Sequence, residues 1–212
     1  MAISNGYVTL AEFKTALTSG SGVTGSTKDA DMERAIEAAS RMIDEFCRRR
    51  FWQDSTVAVR YYTAHCTSEV ITDDISTSTG LIVATDPGDD GTYEKTWTID
   101  ADFRLEPVNA SADSEPWTSI ERLRNGAYAF PSHKNRVKVT AKFGWATTPT
   151  AVKDACLIEA TRLYMRPTSP FGVAGGGEFG AVRLLSKMDP DAEKLLKPYR
   201  RARVPGQTVL MV

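Results

Sequence analysis

Asp29-Ala30-Asp31-Met32-Glu33-Arg34-Ala35-Ile36-Glu37-Ala38-Ala39-Ser40-Arg41-Met42-Ile43-Asp44-Glu45-Phe46-Cys47-Arg48-Arg49-Arg50 carries the first decision about the fold. Met32, Ile36, Ala39, Ile43 and Phe46 recur at steps of four and three residues, so they share one face of a helix. Glu37 with Arg41, and Asp44 with Arg48, are favourable pairs on the polar side. Burying an Ile or Phe contributes about 1.5–3 kcal/mol, against a few tenths for such a pair, so the apolar stripe decides how the helix docks. Upstream, Thr9-Leu10-Ala11-Glu12 has the form of a capping box and opens a short helix to about Thr18. Leu10, Phe13, Ala16 and Leu17 fall on its apolar face. Ser19-Gly20-Ser21-Gly22, with Gly25 beyond, breaks it.

Downstream the period changes to two. Tyr93, Lys95, Trp97 and Ile99 alternate with Glu94, Thr96, Thr98 and Asp100, and Val137, Val139, Ala141 and Phe143 with Arg136, Lys138, Thr140 and Lys142. Both stretches predict half-buried strands of an antiparallel sheet. Val57–Tyr62, Gly80–Thr85, Phe103–Leu105 and Trp117–Leu123 are further strands, giving about five to seven in all. Thr148-Pro149 then restarts a helix that runs to about Arg166, with Val152, Cys156, Ala160 and Leu163 on one side. Asp189-Pro190 opens a last helix carrying Leu195, Leu196 and Tyr199. The expected class is α+β: a helical bundle from the N- and C-terminal helices with an inserted small antiparallel β domain. Its segments are 1–56, 57–146, 147–203 and an extended tail at 204–212.

Composition narrows the function. The 212 residues suffice for a real core, and 42% hydrophobic with 25% charged residues is ordinary for a folded chain. A formal net charge of -1 argues against a dedicated nucleic-acid binder. No apolar run reaches the roughly 20 residues of a membrane span. Met1–Gly6 lacks the charged and apolar regions of a secretory leader, which predicts assembly in a cytosol. Cys47, Cys66 and Cys156 are odd in number and widely spaced, so no disulfide framework is expected.

No catalytic constellation stands out. His65 adjoins Cys66, but neither has a further Cys or His at metal-ligand spacing, and His133 is isolated. Asp86–Glu94 echoes a calcium loop but lacks its closing Glu, and reads better as a solvated hairpin turn. Gly175–Gly180 contains no Lys-Ser or Lys-Thr pair and is no phosphate loop. No metal and no cofactor is expected. Two features ask for a partner instead. Phe171 and Phe179 sit in a Gly-rich loop that also precedes Arg183. The C-terminus runs from Arg200, Arg201 and Arg203 through Val204, Pro205 and Gln207 to Val209, Leu210, Met211 and Val212, basic and then apolar. Such a terminus suits docking in a groove or addition to a sheet edge.

The order of Ser169-Pro170-Phe171-Gly172-Val173-Ala174-Gly175, Phe179-Gly180-Ala181-Val182-Arg183, Asp189-Pro190-Asp191 and Leu195-Leu196-Lys197-Pro198-Tyr199-Arg200-Arg201 resembles head-to-tail adaptor proteins of long-tailed phages infecting actinobacteria. Tyr7-Val8-Thr9-Leu10 and Phe46-Cys47-Arg48-Arg49-Arg50-Phe51 are similar to the start of the wider head–tail connector family. The resemblance covers the helical ends well and the β-rich middle poorly. It implies a non-enzymatic virion protein forming a ring of about a dozen copies on the portal. DNA would pass through its lumen without sequence-specific binding. The C-terminal segment would dock to the portal, and a stopper or tail-completion protein would follow on the other side. The expected location is the virion neck, with host cytoplasm during assembly. The alternatives are a stopper or tail-completion protein, a carbohydrate-binding module with Trp97, Trp117 and Trp145 as a stacking platform, and a hydrolase using His65 or His133.

Overall fold

Chain-order alternation of helix, strand and helix resolves into two units in the computed structural model, which describes residues 3–21, 25–166 and 188–201. One unit takes Met1–Arg48 with Thr148–Arg201; the other takes Arg49–Thr147 from between them.

The helical unit contains α1 (Leu10–Ser21), α2 (Asp29–Cys47), α3 (Thr150–Met165) and α4 (Pro190–Leu196), the last continued by a 3-10 turn at Lys197–Tyr199. The capping box at α1 is reciprocal. Thr9 Oγ1 accepts from the Glu12 amide at 3.2 Å, and the Thr9 amide donates to Glu12 Oε2 at 2.6 Å. Helix α2 buries Met32, Ala35, Ile36, Ala39, Ile43 and Cys47, as its stripe requires, whereas Phe46 is only half-buried. It stops at Cys47 rather than Arg50, because Arg48 turns left-handed at φ 54°. Asp44 also departs from expectation. It is buried rather than solvent-facing, accepting a hydrogen bond from the Tyr7 hydroxyl and pairing with Arg41 at 3.2 Å.

Helix α3 packs against α2 and α4. Pro149, not Thr148, holds its N-cap position, at φ -60° and ψ 145°. Ala155, Cys156 and Ala160 are small enough to let α2 approach. Glu159 is fully buried on the same helix, where it accepts from the Asp189 amide and pairs with Arg162 at 3.4 Å. Asp189 in turn caps α4, accepting from the Asp191 amide at 2.9 Å, with Pro190 at the first helical position.

The β unit is a six-stranded antiparallel sheet of β1 (Ala58–Tyr62), β2 (Glu69–Thr85), β3 (Lys95–Trp97), β4 (Phe103–Glu106), β5 (Trp117–Arg122) and β6 (Val137–Phe143). Strand order is β1-β6-β2-β5-β4, with β3 paired to the end of β2. Its core is Val70, Ile75, Val83, Trp97, Phe103, Ile120, Phe130 and the alternate residues Val137, Val139, Ala141 and Phe143 of β6. Strand β2 spans 17 residues, beginning at Glu69 rather than at Gly80 as expected, and so runs through Asp73, Asp74 and Ser76–Thr79. Asp73, Asp74 and Ser76 are each held by partners. Asp73 accepts from Tyr62 Oη at 3.0 Å and Arg60 at 2.7 Å, and Ser76 Oγ donates to the Lys142 carbonyl at 2.8 Å. Gly80, at φ 78°, lies where the register with β6 shifts between Thr77 and Ile82. Asp74 is bound twice by Arg49 and once by the Trp145 indole. Gly144 is required by space as well as conformation: at φ 103°, a Cβ there would sit 1.8 Å from the Trp52 carbonyl oxygen.

Candidate interaction surfaces

Arg200 and Arg201, the last described residues, are rooted in the helical unit. Ala192 and Leu196 are buried, and the Arg201 amide donates to the Cys47 carbonyl at 2.9 Å. Arg200 is exposed and holds its guanidinium 5.3 Å from the centre of the Phe46 ring. The half-burial of Phe46 thus gives a basic side chain an aromatic surface to lie on. Beside this root, Ala151, Asp191, Lys194, Leu195, Pro198 and Tyr199 line a shallow depression of about 530 Å³. Of the residues expected to dock, only Arg200 and Arg201 are among those described. Arg203, Val204, Pro205, Gln207, Val209, Leu210, Met211 and Val212 lie outside the described residues, as do Phe171, Phe179 and Arg183.

The β unit presents a second surface, one the sequence reading missed. Val57, Val59, Tyr61 and Ile82 are 47–53% exposed. Val59 and Ile82 both stand opposite Thr140 of β6, so the three lie in one row across β1, β6 and β2. Tyr61 extends the row's edge and meets Tyr93 with ring centroids 5.5 Å apart. Lys138 holds its ammonium 5.0 Å from the Tyr93 ring. Beneath this face the other side of β1 is polar yet satisfied. Burial disfavours the charge on Arg60, but its hydrogen bond and ion pair with Asp73 outweigh that and raise its pKa. Burial, with the Asp73 charge beside it, pushes the Tyr62 phenol far up, so it remains a hydrogen-bond donor.

The residues considered for catalysis or sugar binding are not brought together. His65 and His133 are both exposed. Cys66 is exposed, and its Sγ lies 3.2 Å from Ser68 Oγ, whose hydrogen bond lowers the thiol pKa. Trp97 is buried against Phe130, stacked at 4.2 Å, and donates to Thr85 Oγ1 at 2.9 Å. Trp145 is buried against Phe51 at 5.3 Å. Two of the three supposed platform tryptophans are therefore core residues, and no exposed stack is formed by them. The Asp86–Glu94 stretch is the loop of the β2–β3 hairpin, whose last pair is Thr85 opposite Lys95.

No protein-family model and no curated protein matches the chain. Solved structures do. A chain from the neck of an empty gene transfer agent (GTA) particle, computed with C6 symmetry, matches 98% of this chain over 96% of its own, at 20% identity and a TM-score of 0.58. A chain from the neck of the native GTA particle, computed with C12 symmetry, covers the same shares at 19% identity and a TM-score of 0.55. The likeness spans both the helical unit and the β unit, so the whole chain shares a fold with those neck chains.

Proposed function

We propose that this chain is a structural subunit of a phage-like head-to-tail connector. In this reading about a dozen copies form an adaptor ring that binds the portal and lets DNA pass between capsid and tail. The observation that carries it is the fold likeness over nearly the full length of two particle-neck chains. The resemblance of the terminal segments to adaptors of actinobacterial phages supports the same role. Both support a structural and non-enzymatic part in a virion neck.

The surfaces suit that role physically. A ring of identical copies needs two unlike patches on each copy, because head-to-tail contacts join different surfaces. The apolar row of Val59, Tyr61 and Ile82 supplies one such patch. The basic-then-apolar C-terminus suits an extended segment seated on the portal, guided by charge and held by apolar pockets. Each contact is small, and repetition around a ring raises the effective concentration of all the others. A net charge of -1 is consistent with a lumen along which DNA slides rather than binds.

The test is electron microscopy of the chain mixed with its cognate portal, full-length and ending at Arg203. A ring on the portal with the full chain and none with the shortened one supports the adaptor and places its anchor after Arg203. Rings with both keep the adaptor and move the anchor. Failure of both to add to the portal refutes the adaptor and favours a stopper or tail-completion protein.

A further inference from the structure

The β2–β3 hairpin loop, Asp86-Pro87-Gly88-Asp89-Asp90-Gly91-Thr92-Tyr93-Glu94, holds an oxygen that the fold leaves without a donor. Asp86 is 1% exposed. Its Oδ2 accepts from the Gly91 amide at 2.8 Å and from Arg136 Nη1 at 2.6 Å. Its Oδ1 is buried with no hydrogen-bond partner. A buried carboxylate oxygen of this kind costs stability unless something positive meets it.

The space in front of it is acidic. Ligand oxygens of Asp86, Asp90 and Glu94 lie within 4.8 Å of one another. Asp86 Oδ1 and Asp90 Oδ2 stand 4.0 and 3.9 Å from the point where a Cβ on Gly88 would be, so both face the same small volume. Glycine at that position keeps the volume open. Arg136 does not fill it, because its two terminal nitrogens are taken by Asp86 Oδ2 and Asp89. The loop carries four carboxylates (Asp86, Asp89, Asp90, Glu94), of which Asp86 and Asp89 pair with Arg136.

We infer that this loop binds a divalent calcium ion through Asp86 Oδ1, Asp90 and Glu94. Calcium takes oxygen ligands at about 2.3–2.6 Å, so ligands on opposite sides of it are separated by at most about 5 Å. The observed spread fits inside that diameter. Magnesium, at about 2.0–2.1 Å in a stricter octahedron, needs a tighter cage. The spacing also follows a known logic: in a calcium loop the first and fifth positions carry ligands, the sixth is glycine and the ninth contributes, often through water. Asp86, Asp90, Gly91 and Glu94 occupy those places, and Gly91 has φ 86°. Gly88 and Trp97 stand where a full loop has a third-position ligand and a closing Glu, so affinity belongs at the weak end, about 0.1–1 mM. The inference is independent of the connector role.

The test is isothermal titration of calcium chloride into the full chain after chelator treatment, alongside the double variant Asp90→Asn, Glu94→Gln. Both positions are exposed, so the variant keeps the fold, as its circular dichroism will show. The expected result is one saturable site in the wild type, at least about tenfold weaker in the variant and for magnesium. Calcium also raises the thermal midpoint of the wild type and leaves that of the variant unmoved. No saturable binding by the wild type below about 10 mM calcium overturns the site. Unchanged affinity in the variant overturns these ligands, and equal magnesium affinity overturns the choice of calcium.

Discussion

Replacing Asp74 by Ala tests the logic of the β unit most sharply. Asp74 sits in the middle of β2 and its side chain is 4% exposed, with that of Arg49 only 12% exposed. Arg49 donates Nε to Oδ2 at 2.9 Å and Nη2 to Oδ1 at 2.6 Å, and Trp145 Nε1 donates to Oδ2 at 3.1 Å. Removing one partner of a buried ion pair costs about 3–5 kcal/mol. Taking the acceptor from a buried indole N–H costs about 1–3 kcal/mol more. The two overlap, because they share one carboxylate, so the expected loss is about 4–6 kcal/mol. All four tryptophans, Trp52, Trp97, Trp117 and Trp145, belong to the β unit, so tryptophan fluorescence in urea follows that unit selectively. With a slope of about 1–3 kcal/mol per molar urea, the midpoint falls by more than about 1 M. Asp74→Leu combined with Arg49→Met recovers much of the loss, because no buried charge is then stranded. A single-variant loss under about 1 kcal/mol, or a double variant no better than Asp74→Ala, refutes the claim that this pair holds β2 as a strand.

Three further outcomes are expected. Thr9→Ala costs about 0.5–2 kcal/mol in the helical unit, read by far-ultraviolet circular dichroism in urea. The Thr9 amide and hydroxyl hold Glu12 below its ordinary pKa of 4.5, so the capping contribution is complete above that value and is lost as pH falls through the lower folded value. A thiol reagent at pH 8 labels Cys66 first, since its pKa is lowered and it is exposed, while burial pushes the Cys156 thiol up to about 11. Cys66→Ser then abolishes the fast phase, and a fast phase that survives it contradicts the assignment. Val59→Glu with Ile82→Glu leaves the chain folded, both side chains being about half exposed, but blocks ring assembly on the portal. Rings of normal yield in electron micrographs would remove that face from the subunit interface.

Much of the fold was legible because its strongest signals are local. The period of α2 placed Met32, Ile36, Ala39 and Ile43 in the core, and the alternation of β6 placed Val137, Val139, Ala141 and Phe143 there. Caps at Thr9 and Asp189 were visible as short motifs. What escaped is non-local. The strand expected at Gly80–Thr85 extends back to Glu69 only because Tyr62, Arg60, Arg49 and Trp145 arrive from elsewhere to satisfy Asp73 and Asp74. Asp44 looks like a surface charge until Tyr7 is folded over it.

The candidate interaction surfaces divide along the same line. An apolar terminus behind a basic run is a compositional anomaly, so it can be read without a fold. The β1 face cannot, because alternation gives two candidate faces and does not say which one is inward. Hydrophobicity alone would bury Val57, Val59 and Tyr61 and expose Ala58, Arg60 and Tyr62. The structure does the reverse: Tyr62 is buried, Arg60 is partly buried, and the valines face out. Arg60 makes this possible by pairing with Asp73 at 2.7 Å and Asp54 at 3.5 Å while lying 4.0 Å over the Phe143 ring. A one-residue slip would exchange the faces, place the valines in the core and strand those carboxylates. The sheet thus holds an arrangement that its simplest hydrophobic pattern disfavours, through a specific set of charges. Departures of this kind are expected where a surface has a task beyond stability. An apolar row kept outward at the edge of a sheet is what contact with another protein surface would require.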